Sequence, residues 1–208
     1  MTSFFKQAHT NVHVSTHAVL GSNMRAEAGA GQEVIYLAAG CFWGVEKALW
    51  NAPGVVITAT GYMGGDSPNP TYEQVCSHST GHAETVRVVF DTALTSAADL
   101  VRLFFEIHDP TQVGGQGNDI GDQYRSQIWT TTPEQLRDAT ALRAAYQEVL
   151  TERGFGPIQT VISPAPDGDS TARFWYAEDY HQQYLFKNPG GYECHARTGI
   201  ACPALPHE

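Results

Sequence analysis

The sequence predicts an α+β fold built on a ferredoxin-like, split βαβ core, and three observations support this prediction. A strand-length apolar run is followed at once by residues with helical spacing. Two further strand patterns then succeed each other without a helix between them. A second amphipathic helix and another strand complete the order βαββαβ, which is typical of an antiparallel or mixed sheet with helices on one face.

The first strand and helix lie on either side of a short glycine-containing junction. Residues 34–38, VIYLA, form a continuous apolar run of strand length. After the junction, Phe42, Val45 and Leu49 recur at helical spacing, and Pro53 follows as a helix-ending residue. We therefore expect a strand that passes directly into a helix.

The second half of the core repeats this arrangement with one more strand. Residues 55–60 are rich in β-branched side chains, and apolar side chains alternate in residues 85–91, so both segments are predicted strands. Residues 96–107 carry leucine, phenylalanine and isoleucine at helical spacing and precede Pro110. Residues 126–131, SQIWTT, supply the last core strand.

Beyond the core, a long helix is predicted from its start signals. Thr132 suits the N-cap, Pro133 the first helical position, and Gln135 lies three residues after the cap. Gly154 suits the end of this helix, and residues 159–163 are a further candidate strand.

The two ends of the chain lack a clear hydrophobic period. Residues 1–32 are predicted to be an N-terminal extension outside the core, with solvated histidines. Residues 33–208 are predicted to form a single catalytic domain, in which glycines and prolines from residue 174 onward indicate a long, loosely structured C-terminal tail. The cysteine-bearing part of this tail spans about residues 188–208.

Composition limits the classes of function. The 208 residues carry a net charge of -10, which disfavours nucleic acid and anionic membranes as partners because no electropositive field is available. No apolar run approaches the length of a membrane span, and no signal-peptide pattern opens the chain. Four cysteines are too few for a disulfide framework, so we expect a cytoplasmic protein with catalytic, redox-active or buried thiols.

Cys41 lies where the first strand passes into the first helix, in the stretch GCFWGVE. At a helix start the unpaired backbone N–H groups and the helix dipole favour the thiolate, so a lowered pKa is expected. Gly40 would permit the tight turn, while Phe42 and Trp43 would wall an apolar pocket. The alternative is a buried helix cysteine among core aromatics.

Two other segments carry polar groups that suit a catalytic site. Glu84 ends the stretch GHAE at the mouth of a strand, where burial would raise its pKa and allow it to act as an acid. A glycine-rich loop then places Asp119, Tyr124 and Arg125 before the next strand. Taken alone, Glu84 fits a surface charge and the loop fits ordinary turn chemistry.

Together these segments resemble the A class of peptide methionine sulfoxide reductases, over about residues 33–203. Several motifs in the family's order carry the resemblance: GCFWGVE, GYMGG, PTYEQVC, TGHAE, FFEIHDPTQ, QGNDIGDQYRSQI, YAEDYHQQY and KNPGGY. The resemblance implies a ferredoxin-like α+β core and reduction of the S epimer of methionine sulfoxide, free or in proteins, to methionine. Repair of oxidised proteins is the implied role.

The resemblance also implies a role for seven side chains of the substrate site. Cys41 would be the nucleophile, and Glu84 would be the proton donor. The remaining five would bind the substrate: Phe42 and Trp43 at its methyl group, Tyr72 and Tyr124 at the sulfoxide oxygen, and Asp119 at its backbone.

A second thiol must resolve the sulfenic acid that the reaction would leave on Cys41. Cys194 and Cys202, in the glycine-containing tail, are the candidates, as in three-cysteine members of the family. The implied external reductant is thioredoxin, or dithiothreitol in vitro, with no cofactor and no metal. We also expect a monomer. Cys76 is better explained as a small buried hydrophobic residue.

Two other classes of function remain alternatives. A cysteine hydrolase would pair Cys41 with His82, His108 or His181 as a base. A zinc-binding interaction module would use the tail residues Cys194, His195, Cys202 and His207, although their spacing matches no standard zinc site. Neither alternative explains the aromatic residues, Glu84 and the tyrosines together.

Overall fold

A computed structural model describes residues 15–77, 80–194 and 196–205. Its strands are β1 (Gln32–Ala39), β2 (Val55–Met63), β3 (Ala83–Asp91), β4 (Gly115–Gln116), β5 (Asp119–Ile120), β6 (Ser126–Thr130), β7 (Val161–Pro164) and β8 (Trp175–Tyr176). Its helices are α1 (Phe42–Trp50), α2 (Tyr72–Cys76), α3 (Ala97–Glu106), α4 (Pro133–Glu152) and α5 (Tyr184–Lys187), with a 3-10 turn at Asp122–Tyr124.

Six strands form one mixed sheet in the order β7-β6-β1-β3-β2-β8. The central strands β6, β1, β3 and β2 are antiparallel neighbours, and β7 adds in parallel to β6. A strand order that places β1 and β3 at the centre of a βαββαβ unit is the ferredoxin-like arrangement. The predicted fold class is therefore confirmed, and the predicted core strands and helices agree with the observed ones to within a few residues. The expectation that no helix separates the second and third strands is wrong: α2 lies between them, and its start is stabilised by a capping box of Thr71 and Gln74.

The main core lies between the sheet and the helices α1, α3 and α4. Leu37 and Val88 from the sheet are fully buried in the same cluster as Leu49, Phe104 and Leu142 from the three helices. The predicted N-cap at Thr132 is observed, and α3 starts with a cap that was not predicted. Two side chains cap these helix starts: Thr132 accepts a hydrogen bond from the Gln135 N–H at 3.2 Å, and Ser96 forms a capping box with Asp99.

The other face of the sheet is covered by segments that were expected to lie outside the core. Met24 is fully buried there against Ile57 and Val89. His17 is buried on the opposite side of the sheet, where its Nε2 atom lies 2.8 Å from the Thr58 hydroxyl and its ring packs edge-on against Trp50 of α1. The expectation of solvated histidines is therefore wrong for His17. On the face of β2 and β3 that Met24 covers, Ile57, Ala59 and Val89 form an apolar patch, and Met24, Ala26 and Ala28 remove this patch from water.

Residues 174–183 also differ from the expectation of a loose tail. Gln182 is fully buried and pairs with the Thr60 backbone: its Oε1 accepts the Thr60 N–H and its Nε2 donates to the Thr60 carbonyl, both at 2.9 Å. The side-chain amide thereby satisfies buried backbone groups of β2 beside β8. Residues 188–194 and 196–205 of the described tail form no helix or strand, as expected.

Among the helices of the described residues, none is both long enough and apolar enough to span a membrane.

Candidate active site

Cys41 is the N-cap residue of α1, directly after β1. Gly40 adopts φ 92°, and a Cβ atom there would lie 2.8 Å from the Gln116 Cβ, so only glycine fits this turn. The turn brings the Cys41 side chain to one end of the central strands, with 8% of the residue exposed.

A cavity of about 180 Å³ opens at this end of the sheet and gathers every residue predicted for the substrate site. The residues come from β1–α1, α2, β3, the β5 strand and the following turn, and from the tail. They are Cys41, Phe42, Trp43, Tyr72, Glu84, Asp119, Tyr124 and Tyr192. Tyr192 is the one member that the sequence analysis did not single out.

Glu84 lies at the start of β3 and is 2% exposed. Its Oε2 atom accepts a hydrogen bond of 3.0 Å from the backbone N–H of Phe42. Burial raises the pKa of Glu84 to about 8; the Phe42 N–H opposes this shift and the charge of Asp119 adds to it. A carboxylic acid that still carries its proton at neutral pH can act as a general acid.

The predicted lowering of the Cys41 pKa is wrong. Burial raises the pKa of the Cys41 thiol above its usual range, and a negative charge on Glu84 raises it further. The Trp43 backbone N–H interacts with the sulfur and lowers the pKa, but without the geometry of a side-chain capping bond. The helix start therefore does not outweigh desolvation.

Trp43 is fixed by two residues that sequence analysis did not assign to the substrate site. Its indole N–H donates a 3.0 Å hydrogen bond to Nδ1 of His181, and its ring stacks on Tyr184 with centroids 3.7 Å apart. Burial lowers the pKa of His181 to about 4, so its ring is neutral and Nδ1 can accept. This pairing orients the indole along the cavity wall.

Tyr72 is held by a partly buried acidic residue, Glu178, that was also missed. The Tyr72 backbone N–H donates to Oε1 of Glu178 at 2.9 Å, while the Tyr62 hydroxyl donates to Oε2 at 2.8 Å. Burial raises the pKa of both Tyr72 and Tyr124, so their hydroxyl groups remain hydrogen-bond donors throughout the neutral range.

The signals for these missed residues were present but not sufficient. Glu178 and His181 stand within the motif YAEDYHQQY, and Tyr192 lies two residues before Cys194. Nothing local in the sequence indicates which site residue each of them contacts, because their partners are distant in the chain.

The two tail cysteines occupy different surroundings, and all four cysteines are free. Cys194 donates a weak hydrogen bond of 3.6 Å to the Gln116 carbonyl and lines a second cavity with Cys41. Cys202 is buried, and its backbone N–H donates to Glu106 on α3 at 2.9 Å. Burial, with the nearby Glu106 charge, raises the pKa of Cys202 to about 12. The structure thus brings Cys194, but not Cys202, to Cys41.

The histidines of the hydrolase alternative are engaged elsewhere. His82 accepts from the Gly65 N–H at 3.1 Å and lies 2.8 Å from the Ser67 carbonyl. His108 lies 2.6 Å from the Phe104 carbonyl and 2.7 Å from the Ser126 hydroxyl. No hydrogen bond joins either ring, or that of His181, to Cys41 in the part of the chain that the structure describes.

The zinc alternative depends in part on His195 and His207, which lie outside the described residues. Within the described ranges, no three histidine, cysteine, aspartate or glutamate side chains form a group that could hold a metal ion.

Comparison with known proteins gives a consistent result. The sequence profile of the family Peptide methionine sulfoxide reductase matches residues 33–205. The peptide methionine sulfoxide reductase MsrA of Rhodospirillum centenum is 53% identical over 187 residues, which cover 90% of this chain and 83% of the relative.

Solved structures are similar as well. Methionine sulfoxide reductase A of Corynebacterium diphtheriae superposes with a TM-score of 0.80 at 44% identity, covering 92% of this chain and 90% of that one. Mxr1 from Saccharomyces cerevisiae, in its reduced form, gives a TM-score of 0.70 at 35% identity and covers 82% and 94%. Mxr1 has also been solved in complex with Trx2. The chain therefore belongs to the peptide methionine sulfoxide reductase family and is an oxidoreductase that reduces methionine sulfoxide.

Proposed function

We propose that this enzyme reduces the S epimer of methionine sulfoxide, free or in oxidised proteins, by attack of the Cys41 sulfur on the sulfoxide sulfur. One observation carries the proposal: a single cavity of about 180 Å³ is lined by the Cys41 thiol, the buried acid Glu84, three tyrosines and the aromatic side chains of Phe42 and Trp43. A sulfoxide offers a matching set of groups, with a polar oxygen and an apolar methyl on the same electrophilic sulfur.

Glu84 activates the substrate by protonating the sulfoxide oxygen. Sulfoxide sulfur becomes strongly electrophilic only when its oxygen is protonated or hydrogen bonded. The pKa of Glu84, about 8, keeps the proton in place at neutral pH. Tyr72 and Tyr124 line the same cavity and remain protonated, so their hydroxyl groups can donate to the same oxygen.

The raised pKa of Cys41 makes the resting sulfur a thiol, so it must lose its proton during the reaction. Neutral Glu84 lifts the repulsion that an ionised carboxylate would impose on a thiolate. As Glu84 gives its proton to the oxygen, its carboxylate can accept the thiol proton, and the net transfer is from sulfur to oxygen. The Cys41 sulfur then loses two electrons, the substrate sulfur gains two, and the products are a sulfenic acid and methionine.

The choice of epimer follows from contacts at three substituents of the sulfoxide sulfur. Phe42 and Trp43 would bind the methyl group, Glu84 and the tyrosines the oxygen, and Asp119 the backbone beyond the side chain. With these substituents fixed, the sulfur of one epimer faces Cys41 and that of the other does not. Trp43 is pre-oriented for this purpose by His181 and Tyr184.

The tail cysteines would restore the thiol. Cys194 attacks the sulfenic acid of Cys41, a disulfide forms, and the oxygen leaves as water. Cys202 then attacks Cys194, so that Cys41 is free again and the disulfide lies in the tail. Cys202 is buried against α3 in the reduced protein, so this exchange requires the tail to leave its present position.

The final reductant would be a thioredoxin in the cytoplasm, where thiols stay reduced. The complex of Mxr1 with Trx2 supports such a partner. Dithiothreitol would serve in vitro, and no step above uses a cofactor or metal. We also propose that the enzyme acts as a monomer.

Separated S and R epimers of a blocked methionine sulfoxide, each supplied with dithiothreitol, test this proposal. Methionine should form from the S epimer only. Equal rates with both epimers would reject the proposed binding of the methyl group, the oxygen and the backbone at three separate places in the cavity. Release of an acyl fragment from an ester would favour a hydrolase instead.

A further inference from the structure

We propose that the ion pair between Lys47 and Glu193 positions Cys194 for its attack on oxidised Cys41. This inference rests on the proposed function, because it concerns the step that follows sulfoxide reduction. It assigns a role to Lys47, a residue of α1 outside the substrate cavity, and to Glu193 in the tail.

Three successive tail residues, 192–194, are each tied to a different part of the site; we call them the tail strap. The Tyr192 hydroxyl donates to Oδ2 of Asp119 at 3.0 Å. Glu193 Oε2 lies 2.7 Å from Lys47 Nζ, and the Cys194 sulfur lies 3.6 Å from the Gln116 carbonyl oxygen. The tail strap therefore lies between the β4–β5 hairpin, which Tyr192 and Cys194 contact, and α1, which Glu193 contacts.

Cys41 lies between two cavities, and the tail strap lines both of them. The substrate cavity includes Tyr192, whereas a second cavity of about 230 Å³ is lined by Cys41, Lys47, Glu193 and Cys194 together. The second cavity gives Cys194 a route to the Cys41 sulfur that does not pass through the substrate. The ion pair stands at the wall of this second cavity.

Glu193 lies against the surface of α1 at Gly44. A Cβ atom on Gly44 would already be in contact with the Glu193 side chain, 3.5 Å from its Cγ atom. The carboxylate can thus lie along the helix surface and reach Lys47 one turn further on. No helix or strand fixes the described tail beyond residue 187, so side-chain contacts of this kind hold Cys194 in place.

The Lys47–Glu193 pair assists the formation of the Cys41–Cys194 disulfide, in which all atoms and electrons are accounted for. The Cys194 sulfur attacks the Cys41 sulfur of the sulfenic acid, the sulfur–sulfur bond forms, and the sulfur–oxygen bond breaks. The oxygen leaves with the thiol proton as water. Lys47 and Glu193 touch neither reacting sulfur in this scheme, so they are positioning residues and act on the local concentration of Cys194 around Cys41.

Charge variants test the role of the pair. Lys47→Gln and Glu193→Gln remove one partner each, and the double variant Lys47→Glu with Glu193→Lys exchanges the charges. Because the side chains are 43% and 23% exposed, the pair should change the rate of disulfide formation by about two- to fivefold. Asp138→Asn, which breaks the exposed Arg137–Asp138 pair on α4, is the matched control.

Two rates are measured in one rapid-quench experiment. Release of the first methionine reports sulfoxide reduction, and the decay of dimedone-reactive sulfenic acid reports disulfide formation. We expect the first rate to be unchanged in every variant. The second should slow in both single variants, recover in the charge-exchanged variant, and in wild type fall with added salt toward the rate of the single variants.

Decay of the sulfenic acid at the wild-type rate in both single variants would overturn the inference, as would a charge-exchanged variant slower than either of them. Slowing by Asp138→Asn would also overturn it, because the effect would not be local. If wild type releases no methionine at all, the proposed function fails. If methionine is released normally but the variants form the disulfide at the wild-type rate, only the role of the ion pair fails.

Discussion

The backbone N–H of Phe42 donates a 3.0 Å hydrogen bond to the carboxylate of Glu84, across 42 positions in the chain. This N–H belongs to the first turn of α1, next to Cys41. The Phe42 N–H is hydrogen bonded to Glu84 and not to the Cys41 sulfur. The same buried position raises the pKa of Glu84 to about 8 and the pKa of Cys41 above its usual range. Before the reaction, the Glu84 carboxyl and the Cys41 thiol therefore both carry a proton at neutral pH.

The first prediction concerns the pH dependence of sulfoxide reduction. Only protonated Glu84 can donate, and its pKa is about 8, so the single-turnover rate should fall as the pH rises through about 8. Glu84→Gln should lower this rate by about 10²- to 10⁴-fold and abolish the alkaline limb. Single-turnover rates from neutral to alkaline pH check this. If the rate of Glu84→Gln still falls as the pH rises through about 8, a group other than Glu84 is responsible for the alkaline decrease.

The second prediction concerns the tyrosine hydroxyl groups. Tyr72→Phe and Tyr124→Phe should each slow sulfoxide reduction by about 10²-fold, the usual effect of removing one preorganised donor. Tyr36→Phe is the control, since Tyr36 packs among the side chains around Phe174, outside the substrate cavity. Equal rates in Tyr72→Phe and Tyr36→Phe would remove Tyr72 from the binding of the oxygen.

The third prediction concerns the reducing capacity of the tail. Without added reductant, wild type should form about two methionines per enzyme, because one oxidation can be stored as a Cys194–Cys202 disulfide while Cys41 reacts again. Cys194→Ser should form about one. Cys202→Ser should accumulate a Cys41–Cys194 disulfide, visible by peptide mapping. A bond from Cys41 to Cys76 would refute this relay.

The fourth prediction tests the packing of the segment before β1. Met24 is fully buried against β2 and β3, so Met24→Ala should lower the free energy of unfolding by about 2–5 kcal/mol. Leu94→Ala, at a side chain 69% exposed, should change it by about 0.5 kcal/mol or less. Urea unfolding measures both. Equal small effects would mean that this segment does not contribute to the core.

The fifth prediction concerns stability in acid. Burial, with the nearby Lys187 charge, lowers the pKa of His17 from 6.5 to about 4, so between these values the unfolded chain binds a proton that the native protein does not. The contribution of His17 to the free energy of unfolding is therefore fully present above pH 6.5 and declines as the pH falls toward 4.

His17→Gln isolates this contribution. The difference in unfolding free energy between wild type and the variant should be larger at about pH 7 than at about pH 5. A difference that does not change with pH would indicate that His17 is already charged in the native protein, or that it titrates as it does in the unfolded chain.

The fold could be predicted from the sequence because its signals are local. The alternation in residues 85–91, the helical spacing in residues 96–107 and the cap at Thr132 each depend on a few neighbouring residues. The βαββαβ order then leaves few topologies open. The cover over the second face of the sheet was not predicted, because residues 15–31 have no period and their burial depends on what lies beneath them.

The members of the site could be recognised from motifs, but their electrostatics could not. The pKa of Cys41 depends on burial and on Glu84, and the orientation of Trp43 depends on His181, which is 138 positions away. A helix start was a sound reason to expect a low thiol pKa, yet desolvation is the larger effect in the folded protein. These interactions between residues distant in the chain are set by the fold, so no local sequence pattern indicates them.

In the proposed mechanism, oxygen passes from the substrate to the sulfur of Cys41. The most direct test treats Cys194→Ser with one equivalent of the S epimer and follows intact mass and peptide mapping. We expect one methionine per enzyme and one added oxygen atom, carried by Cys41 and trapped by dimedone. Methionine release with no oxygen on Cys41, or equal oxidation of Cys41 by the R epimer, would contradict the account.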